Sequence, residues 1–445
     1  MLNLHEDFLS RMKALLGNDY DAFYKSLQQD EQKAIYVNTN KTTLENFKNV
    51  VDFSITNIPY EENGFYVDNE KRGRHALHHA GAFYIQEPSA MFTVNSYKFR
   101  GDEKVLDMCA APGGKTIQIA TRIPNGVLVS NEFNKSRSSI LYSNVERMGL
   151  TNVIITNESS ENLAKAYEDT FDVCLVDAPC SGEGMFRRGE EVVKEWNVNL
   201  PKMCAERQLE ILDNADKVLK QGGILIYSTC TYSLEENEGV VKEFCNNYCY
   251  EILNIEAPFS RGIGLEQAVR LYPHVVKGEG QFVAVLRKTK ENDLSAKQSL
   301  KLKDCINALN FMKKHAKINK ITEKYKNFEK SIKKYGNCSY YVPEQSLIKK
   351  DVNYVSIGVK LGEDVNGRFE PNHYLFSAFG GEMNLKLNLR LTDNRVAKYL
   401  KGETLDVDFD DGYGAVLVEN CALGGFKISK EKFKNHYPKG LRNYK

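Results

Sequence analysis

Short apolar segments alternate with longer amphipathic segments between residues 104 and 286, and this alternation restricts the chain to few folds. The segments between the apolar runs predict helices beginning near Lys115, over Arg137–Met148 and near Cys204–Leu219. Alternating strands and helices predict the α/β class, with a doubly wound, Rossmann-like and mainly parallel sheet whose functional residues follow the carboxyl ends of the strands. The predicted strands are Lys104–Met108, Val127–Ser130, Val153–Thr156, Phe171–Asp177, Ile224–Ser228 and Phe282–Leu286.

The regions on either side of this alternation have a different character, and a chain of 445 residues is expected to hold more than one domain. An N-terminal lead-in is predicted to be mostly helical, because Phe8, Met12 and Leu16 recur at helical spacing. A lysine-rich connecting region of low complexity precedes a small β-rich C-terminal domain, with strands predicted over Thr404–Phe409 and Ala415–Glu419. The four predicted parts are residues 1–92, 93–288, 289–374 and 375–445.

Charge is distributed unevenly along the chain. The net charge is only +1, yet the segment from Arg287 to Lys350 has 17 Lys and Arg against 6 Asp and Glu. From Phe426 to the end, seven basic residues accompany a single acid, Glu431. Such segregation is typical of a protein with a face that binds nucleic-acid phosphates. A lysine-rich surface that is merely solvated fits the charge pattern equally well, so charge alone leaves both interpretations open.

Other classes of protein fit the composition poorly. No apolar run is long enough to cross a bilayer, and the N-terminus lacks the pattern of a signal peptide. Ten cysteines show neither a disulfide framework nor a zinc-binding spacing, and we interpret Cys245 and Cys249 as packing residues. We therefore expect a cytoplasmic protein without a metal site or a membrane partner. We also expect it to be a monomer.

The strongest local pattern is VLDMCAAPGGKT (105–116), in which a strand runs through small residues directly into a helix. Small residues let the backbone approach a ligand closely, and the start of a helix presents free N–H groups. The spacing is that of neither a Walker loop nor a Gly-x-Gly-x-x-Gly motif. An ordinary tight turn is the alternative interpretation. The candidate cofactor-binding residues in this turn are Cys109, Ala110, Ala111, Pro112, Gly113, Gly114 and Lys115.

Polar residues follow the second and third predicted strands, at positions where doubly wound folds bind nucleotides. Glu132 follows the second strand, where an acid can accept hydrogen bonds from both hydroxyls of a ribose. Asn157 and Glu158 follow the third strand, where an adenine ring would lie. These residues are candidates by position, since an isolated acid at a strand end is otherwise solvated surface.

Two cysteines occupy matching positions just beyond the next two strands: Cys180 in DAPCSG (177–182) and Cys230 in STCTYS (228–233). A single cysteine there would be interpreted as packing, because free cysteine is readily buried. Two at matching positions, each among small polar residues, favour chemistry instead. A thiolate is a strong nucleophile near neutral pH.

The motifs CAAPGGK (109–115), DAPCSG (177–182) and STCTYS (228–233) closely resemble those of the Sun/RsmF family of RNA 5-cytosine methyltransferases. The segments YIQEPSAM (84–91), RLYPH (270–274) and GEGQF (278–282) are also similar to that family, so the resemblance covers residues 1–290. More loosely, the C-terminal part resembles the PUA-like domain of the RsmF branch. The resemblance implies a methyltransferase sheet, S-adenosylmethionine as cofactor, and RNA as partner, most of all 16S rRNA or the small ribosomal subunit.

The resemblance also implies individual roles. Cys230 is implied as the nucleophile, Cys180 as the residue that helps release the product, and Asp177 as a contact of cofactor and base. Further cofactor contacts are implied at residues 109–115 and Glu132. Many relatives carry Asp on the adenine side, whereas this chain has Asn157 followed by Glu158, and either could make that contact. Two other functions stay open: methylation of transfer RNA, and a non-catalytic, RNA-binding role in ribosome assembly, which the presence of both cysteines disfavours.

Overall fold

The computed structural model describes residues 4–68, 72–290 and 298–442. Its N-terminal part begins with helices, as predicted, but it continues into a four-stranded antiparallel sheet of order β2-β3-β1-β4 that the sequence does not predict. The strand β1 is buried at four successive positions, so it lacks the alternation that reveals a half-exposed strand. The elements are α1 (Glu6–Leu16), α2 (Tyr20–Leu27), β1 (Lys33–Val37), α3 (Leu44–Val50), β2 (Ile55–Ile58), β3 (Glu61–Val67), α4 (Ala76–His79), β4 (Phe83–Ile85) and α5 (Pro88–Asn95).

The central part confirms the predicted alternation of strands and helices, and all six predicted strands are present. The parallel strands β6 and β7 are buried along their whole length, as expected where helices cover both faces of a sheet. The elements are β5 (Lys104–Asp107), α6 (Gly114–Arg122), β6 (Val127–Asn131), α7 (Lys135–Met148), β7 (Val153–Thr156), α8 (Ser160–Ala166), β8 (Phe171–Asp177), α9 (Glu190–Glu195), α10 (Leu200–Val218), β9 (Leu219–Thr229), α11 (Val240–Asn247), β10 (Tyr250–Leu253), β11 (Ser260–Gly262), β12 (Leu265–Leu271) and β13 (Gln281–Lys288).

The lysine-rich region, predicted as a connection of low complexity, is folded in its described part. It forms a five-stranded sheet of order β14-β15-β16-β18-β19. Apolar side chains such as Met312, Ile321 and Phe328 are fully buried, while lysines such as Lys317 and Lys320 stay exposed. Residues 291–297 of the predicted basic segment lie outside the described residues. The elements are β14 (Lys303–Asp304), α12 (Ile306–His315), α13 (Ile318–Lys324), β15 (Ile332–Tyr335), β16 (Cys338–Tyr341), β17 (Tyr354–Ser356), β18 (Val359–Val365), β19 (Arg368–Pro371) and α14 (His373–Phe379).

The C-terminal part is β-rich, as predicted, but the strand predicted over Thr404–Phe409 is wrong. That segment has no regular structure, and its side chains Leu405, Val407 and Phe409 pack on the core without backbone pairing. Both edges of β21 are already occupied, by β20 in parallel and by β22 antiparallel. The elements are β20 (Leu385–Leu389), α15 (Asn394–Lys401), β21 (Gly412–Val418), β22 (Cys421–Ser429) and β23 (Lys432–Asn435).

The strand order of the main sheet determines where a ligand can bind. The described strands follow the order β11-β12-β13-β9-β8-β5-β6-β7-β17, and β10 adds to β13. From β5 the chain continues to β6 and β7 on one side, and then returns to β8 and β9 on the other. The order therefore reverses between β5 and β8, and a doubly wound sheet binds its ligand beyond the carboxyl ends of the strands at such a point.

Residues beyond the main sheet pack directly onto it. Strand β17 pairs antiparallel with β7 at the edge of the sheet. The hydroxyl of Tyr167 donates to the carbonyl of Leu347 at 2.9 Å. The ammonium of Lys41 donates to the carbonyls of Ala80 and Ala422, and so links the N-terminal and C-terminal parts. Within the described ranges, no helix combines the length and the apolar character that crossing a membrane requires.

Candidate active site

A large cavity opens where the strand order reverses, with a volume of about 1520 Å³. Cavities that bind one small ligand commonly measure about 300–1,000 Å³, so this one has room for a cofactor together with a nucleotide. The structure brings nearly all predicted site residues to it, and among them only Gly113 and Asn157 do not line it. The predicted residues that do line it are Cys109, Ala110, Ala111, Pro112, Gly114, Lys115, Glu132, Asp177, Cys180 and Cys230.

The turn at residues 109–115 has the shape that its small residues predict. Gly113 is the N-cap of α6 with a φ of 114°, a left-handed conformation that favours glycine, and a Cβ there would lie 3.0 Å from Leu141 Cδ1. Two side chains of α7 hold the turn by its carbonyls: Arg137 Nη2 donates to Ala111 at 2.7 Å, and Asn144 Nδ2 donates to Pro112 at 2.8 Å. The first turn of α6 is thereby presented to the cavity.

Asp107, at the end of β5, is a site residue that the sequence reasoning did not single out. Its Oδ2 accepts a hydrogen bond from Thr116 Oγ1 at 2.7 Å, whereas its Oδ1 has no partner among the described residues. Burial raises the pKa of Asp107 to about 7. A buried carboxylate oxygen without a donor fits a cationic ligand group such as an ammonium. In the sequence, the position of Asp107 directly before the turn of small residues was the pattern that could have indicated a role in the site.

Glu132 lies at the next strand end, where the sequence predicts a ribose contact. Its side chain is 6% exposed, and its Oε2 lies 3.3 Å from Arg137 Nη1. Its Oε1 accepts a hydrogen bond from the backbone N–H of Asn134 at 2.9 Å. The neighbouring Phe133 lines the cavity with a ring that is 76% exposed, and the sequence reasoning missed it. An exposed ring beside this acid offers a flat apolar surface to an aromatic base.

Asn157, predicted as a cofactor contact, does not line the cavity, and its side chain binds the backbone instead. Its amide nitrogen donates to the carbonyls of Glu132 and Phe133, at 2.7 and 2.8 Å. The Asn157 side chain therefore stabilises the backbone of the loop that carries Glu132 and Phe133. Glu158, the other residue that the sequence left open, does line the cavity, and its Oε1 accepts from the N–H of Asn353 at 2.8 Å.

The two predicted cysteines lie next to each other in the other half of the cavity. The Sγ atoms of Cys180 and Cys230 are 3.2 Å apart, and both cysteines are free thiols. Strands β8 and β9 are parallel neighbours, so the loops that follow them meet at the same edge of the sheet. The N–H of Gly184 donates to the carbonyl of Cys230 at 2.8 Å, and a Cβ on Gly184 would lie 2.6 Å from that oxygen. Only glycine permits this approach.

Asp177 lies beside the thiols and receives three hydrogen bonds. Lys115 Nζ donates to its Oδ2 at 2.7 Å, while Ser228 Oγ and Gln281 Nε2 donate to its Oδ1 at 2.7 and 3.2 Å. Burial lowers the pKa of Lys115, but the charge and hydrogen bond of Asp177 outweigh it, so the pKa is raised overall. Lys115 is therefore cationic at neutral pH. In the sequence Gln281 belongs to the segment GEGQF (278–282), and its contact with Asp177 is visible only in the structure.

A buried ion pair supports the loop that carries Cys230. Arg270 is 2% exposed, and its Nε donates to Glu238 Oε1 at 2.7 Å. Its Nη1 donates to the carbonyl of Tyr232 at 2.8 Å. Glu183 Oε2 accepts a hydrogen bond from the backbone N–H of Tyr232 at 3.0 Å. A loop fixed by charge-assisted bonds on two sides keeps its cysteine in one place.

The chain combines a Rossmann-like sheet with a turn of small residues where the strand order reverses. An acid follows the next strand, and the cavity has room for a second substrate. These features together define an S-adenosylmethionine-dependent methyltransferase. The cofactor carries an ammonium, ribose hydroxyls and an adenine ring. Asp107 Oδ1 fits the ammonium, Glu132 fits the ribose hydroxyls, and Phe133 fits the adenine ring. The residues present therefore fit the cofactor.

Comparisons with known proteins identify the family. Residues 95–287 match the family described as 16S rRNA methyltransferase RsmB/F, residues 4–88 the N-terminal domain of 16S rRNA methyltransferase RsmF, and residues 386–443 the methyltransferase RsmF PUA domain. The chain is 30% identical over 462 residues to ribosomal RNA small subunit methyltransferase F of Enterobacter sp. (strain 638), covering 98% of this chain and 95% of the relative. The chain belongs to the RsmF family of methyltransferases.

Further relatives and solved structures agree. The Citrobacter koseri protein of the same name is 36% identical over 300 residues, 63% of each chain. A methyltransferase homolog protein from Pyrococcus horikoshii has a TM-score of 0.57 at 29% identity, covering 64% of this chain and 96% of that one. The fold is also that of NSun6 from Pyrococcus horikoshii, with a TM-score of 0.59 at 23% identity, covering 65% of this chain and 100% of that one.

Proposed function

We propose that this methyltransferase transfers a methyl group from S-adenosylmethionine to carbon 5 of a cytosine in 16S rRNA, acting in the cytoplasm as a monomer on the small ribosomal subunit or its RNA. The observation that carries the cytosine-5 chemistry is the pair of thiols, Cys180 and Cys230, 3.2 Å apart beside Asp177. The names of the relatives, which specify the small-subunit ribosomal RNA, support the choice of RNA.

The chemistry requires a nucleophile because carbon 5 of cytosine is itself unreactive. The Cys230 thiolate forms a bond to carbon 6, which makes the ring an enamine that is nucleophilic at carbon 5. The bound cofactor supplies an electrophilic methyl group. Lys115, which is held by Asp177, stabilises the negative charge that develops on the ring at nitrogen N3. The proton on carbon 5 then leaves, its electron pair restores the ring double bond, and the bond between carbon 6 and sulfur breaks. Cys180 assists these last steps.

On the cofactor side, we assign roles from the side chains that line the cavity. The turn at residues 109–115 and Asp107 hold the methionine end, and Glu132 accepts from the ribose hydroxyls. Phe133 and Glu158 take the adenine side in place of Asn157, which is turned toward the backbone. The four-part division stays a prediction, and two of its boundaries, at 92/93 and 374/375, fall inside α5 (Pro88–Asn95) and α14 (His373–Phe379). Residues 289–374 are folded in their described part.

Glu132→Gln is expected to weaken the binding of S-adenosylmethionine about 10- to 100-fold, because hydrogen bonds to a charged group contribute about 1.5–3 kcal/mol. Isothermal titration of the purified protein measures the affinity directly. The matched control is Glu161→Gln, which also removes a carboxylate from the cavity wall, but one on the exposed side of α8 that pairs with Lys165. Equal affinities of the two variants would contradict the ribose assignment.

The basic segments are expected to hold the RNA by its phosphates. A deletion is a poor test, since removing residues after 288 would uncover β7 and the core beneath the C-terminal part. The double substitution of Lys317 and Lys320 by glutamine changes exposed side chains only. Each lost phosphate contact should reduce the slope of log affinity against log salt by about 0.7 to 0.9.

Filter binding of 16S rRNA across a salt series measures this slope. The control substitutes the exposed Lys98 and Lys242, which lie outside both basic segments. We expect an unchanged slope for the control and a flatter one for the Lys317 and Lys320 variant. The same slope in both variants would favour the alternative that these lysines are merely solvated.

Bisulfite sequencing of total RNA from cells with and without the gene tests the function as a whole. A cytosine of 16S rRNA that resists conversion only when the gene is present would establish the proposal. A protected position in transfer RNA instead would move the substrate to that class. If no position changes, the non-catalytic role in ribosome assembly is favoured.

A further inference from the structure

The two thiols of the site are close enough to share one negative charge. At an Sγ–Sγ distance of 3.2 Å, a thiolate on one cysteine disfavours a second thiolate and accepts a hydrogen bond from the remaining S–H. Only the deprotonated sulfur is a strong nucleophile. The position of the shared charge therefore decides which cysteine attacks the base, and the surroundings of the pair decide that position.

The surroundings of Cys180 favour its protonated form. The hydrogen bond with Cys230 raises the pKa of Cys180 most, followed by burial and by the charges of Cys230 and Glu236. Lys115 is a cation that interacts with the charge of Cys230: burial lowers the pKa of Lys115, but Asp177 and the charge of Cys230 raise it overall. Opposite charges thus flank the two thiols, with Lys115 near Cys230 and Glu236 near Cys180.

Glu236 is fully buried, and its hydrogen bonds connect it to the loop that carries Cys180. Its Oε2 accepts from the N–H of Ser181 at 2.9 Å and from Gln208 Nε2 at 2.9 Å, and its Oε1 accepts from Ser181 Oγ. The same amide of Gln208 donates to the carbonyl of Pro179 at 3.0 Å. The residues on both sides of Cys180 are therefore tied to this carboxylate, directly or through Gln208.

Each of these donors is neutral, so the hydrogen bonds stabilise the negative charge without cancelling it. The hydroxyl of Ser181 also lies 2.8 Å from Thr231 Oγ1, which joins the Cys180 loop to the Cys230 loop. Glu236 itself lies in a π-helical turn (Glu235–Gly239), an irregularity that is frequent at functional sites.

We propose that Glu236 is a positioning residue that directs the shared negative charge of the thiol pair to Cys230, by placing a carboxylate behind the loop of Cys180. This inference rests on the proposed function, in which Cys230 is the nucleophile. Glu236 is buried and does not line the cavity in which the base and the cofactor would bind. Its effect is transmitted through Ser181 and through its electric field at Cys180.

Alkylation of the free enzyme by iodoacetamide, followed by peptide mass spectrometry, tests this without RNA or cofactor. Both thiols line the cavity, so the rate of each reports its thiolate fraction. In the wild type, Cys230 is expected to react faster than Cys180 at pH 8. In Glu236→Gln the ratio of the two rates should fall about tenfold, which corresponds to a relative pKa change of one unit. Glu236→Asp keeps the charge and should keep most of the ratio.

The matched control is Glu243→Gln, which removes an exposed carboxylate from α11 and should leave the ratio unchanged. A residue with a merely structural role would lower the melting temperature but would not move the ratio. An unchanged ratio in a folded Glu236→Gln protein overturns the inference. Because alkylation needs no RNA, the proposed function could fail in the sequencing experiment while this result stands, and the reverse also holds.

Should Glu236→Gln not fold, the wild type provides a second measurement. Burial raises the pKa of Glu236 to about 7, so its charge is lost as the pH falls through that value. The ratio of Cys230 to Cys180 alkylation should then decrease between pH 8 and pH 6. A constant ratio over this range would overturn the inference. Among the described residues, the titratable groups that interact with Glu236 include Glu183, Cys180, Cys204 and Tyr227.

Discussion

Cys230→Ala is expected to abolish methyl transfer to RNA, on the order of 10⁵-fold or more, while the affinity for S-adenosylmethionine stays unchanged. Without the thiolate, carbon 5 of the cytosine is not activated and cannot accept the methyl group. The cofactor contacts assigned above lie on the other half of the cavity, at the turn of residues 109–115 and at Glu132. Transfer of tritium from labelled cofactor to 16S rRNA measures the activity, and titration calorimetry measures the affinity.

A surface cysteine supplies the control for this variant. Cys249 is exposed, and Cys249→Ala should retain full activity. The melting temperature of Cys230→Ala should stay close to that of the wild type, because the side chain is small and lines an open cavity. Measurable turnover by Cys230→Ala would show that the nucleophile lies elsewhere. The double variant Cys180→Ala, Cys230→Ala would then test whether Cys180 is the nucleophile.

Cys180→Ala is expected to stop the reaction at a different point and to accumulate a covalent complex between protein and RNA. Attack by Cys230 and methyl transfer do not require Cys180, whereas release of the methylated base does. General acid or base groups contribute about 10²- to 10⁴-fold, so turnover should fall by that factor while the first methyl transfer is retained. On a denaturing gel, the variant incubated with cofactor and 16S rRNA should give a slower band that ribonuclease removes.

Two further variants show whether this band has the proposed origin. The double variant Cys180→Ala, Cys230→Ala should form no covalent complex, because the bond to carbon 6 comes from Cys230. Cys204→Ala is the matched control: it removes another partly buried thiol, on α10, and should turn over normally. Release of methylated RNA by Cys180→Ala at the wild-type rate would remove Cys180 from the mechanism.

The sequence by itself determined the sheet and the loops that follow its strands. Runs such as Val127–Ser130 begin with three successive apolar residues, and CAAPGGK is rich in small residues, so both report local structure directly. It also placed Cys180 and Cys230 after neighbouring strands, from which their proximity follows for a parallel sheet. The N-terminal sheet was not predicted because β1 is buried at successive positions and lacks the alternation of a half-exposed strand. The fold of the lysine-rich region was not predicted because the few apolar residues that form its core are scattered among many lysines.

Only the tertiary structure decided which side chains meet. It turned Asn157 toward the backbone and left Glu158 in the cavity, although the two are adjacent in the chain. It also brought Glu236 to Ser181, 55 residues away, and Gln281 to Asp177, 104 residues away. Contacts of this kind depend on strand register, on rotamers and on the packing of segments far apart in sequence, whereas sequence patterns record only the spacing of residues along one segment. For that reason the sequence could identify both thiols, but not the buried carboxylate of Glu236 beside the loop of Cys180.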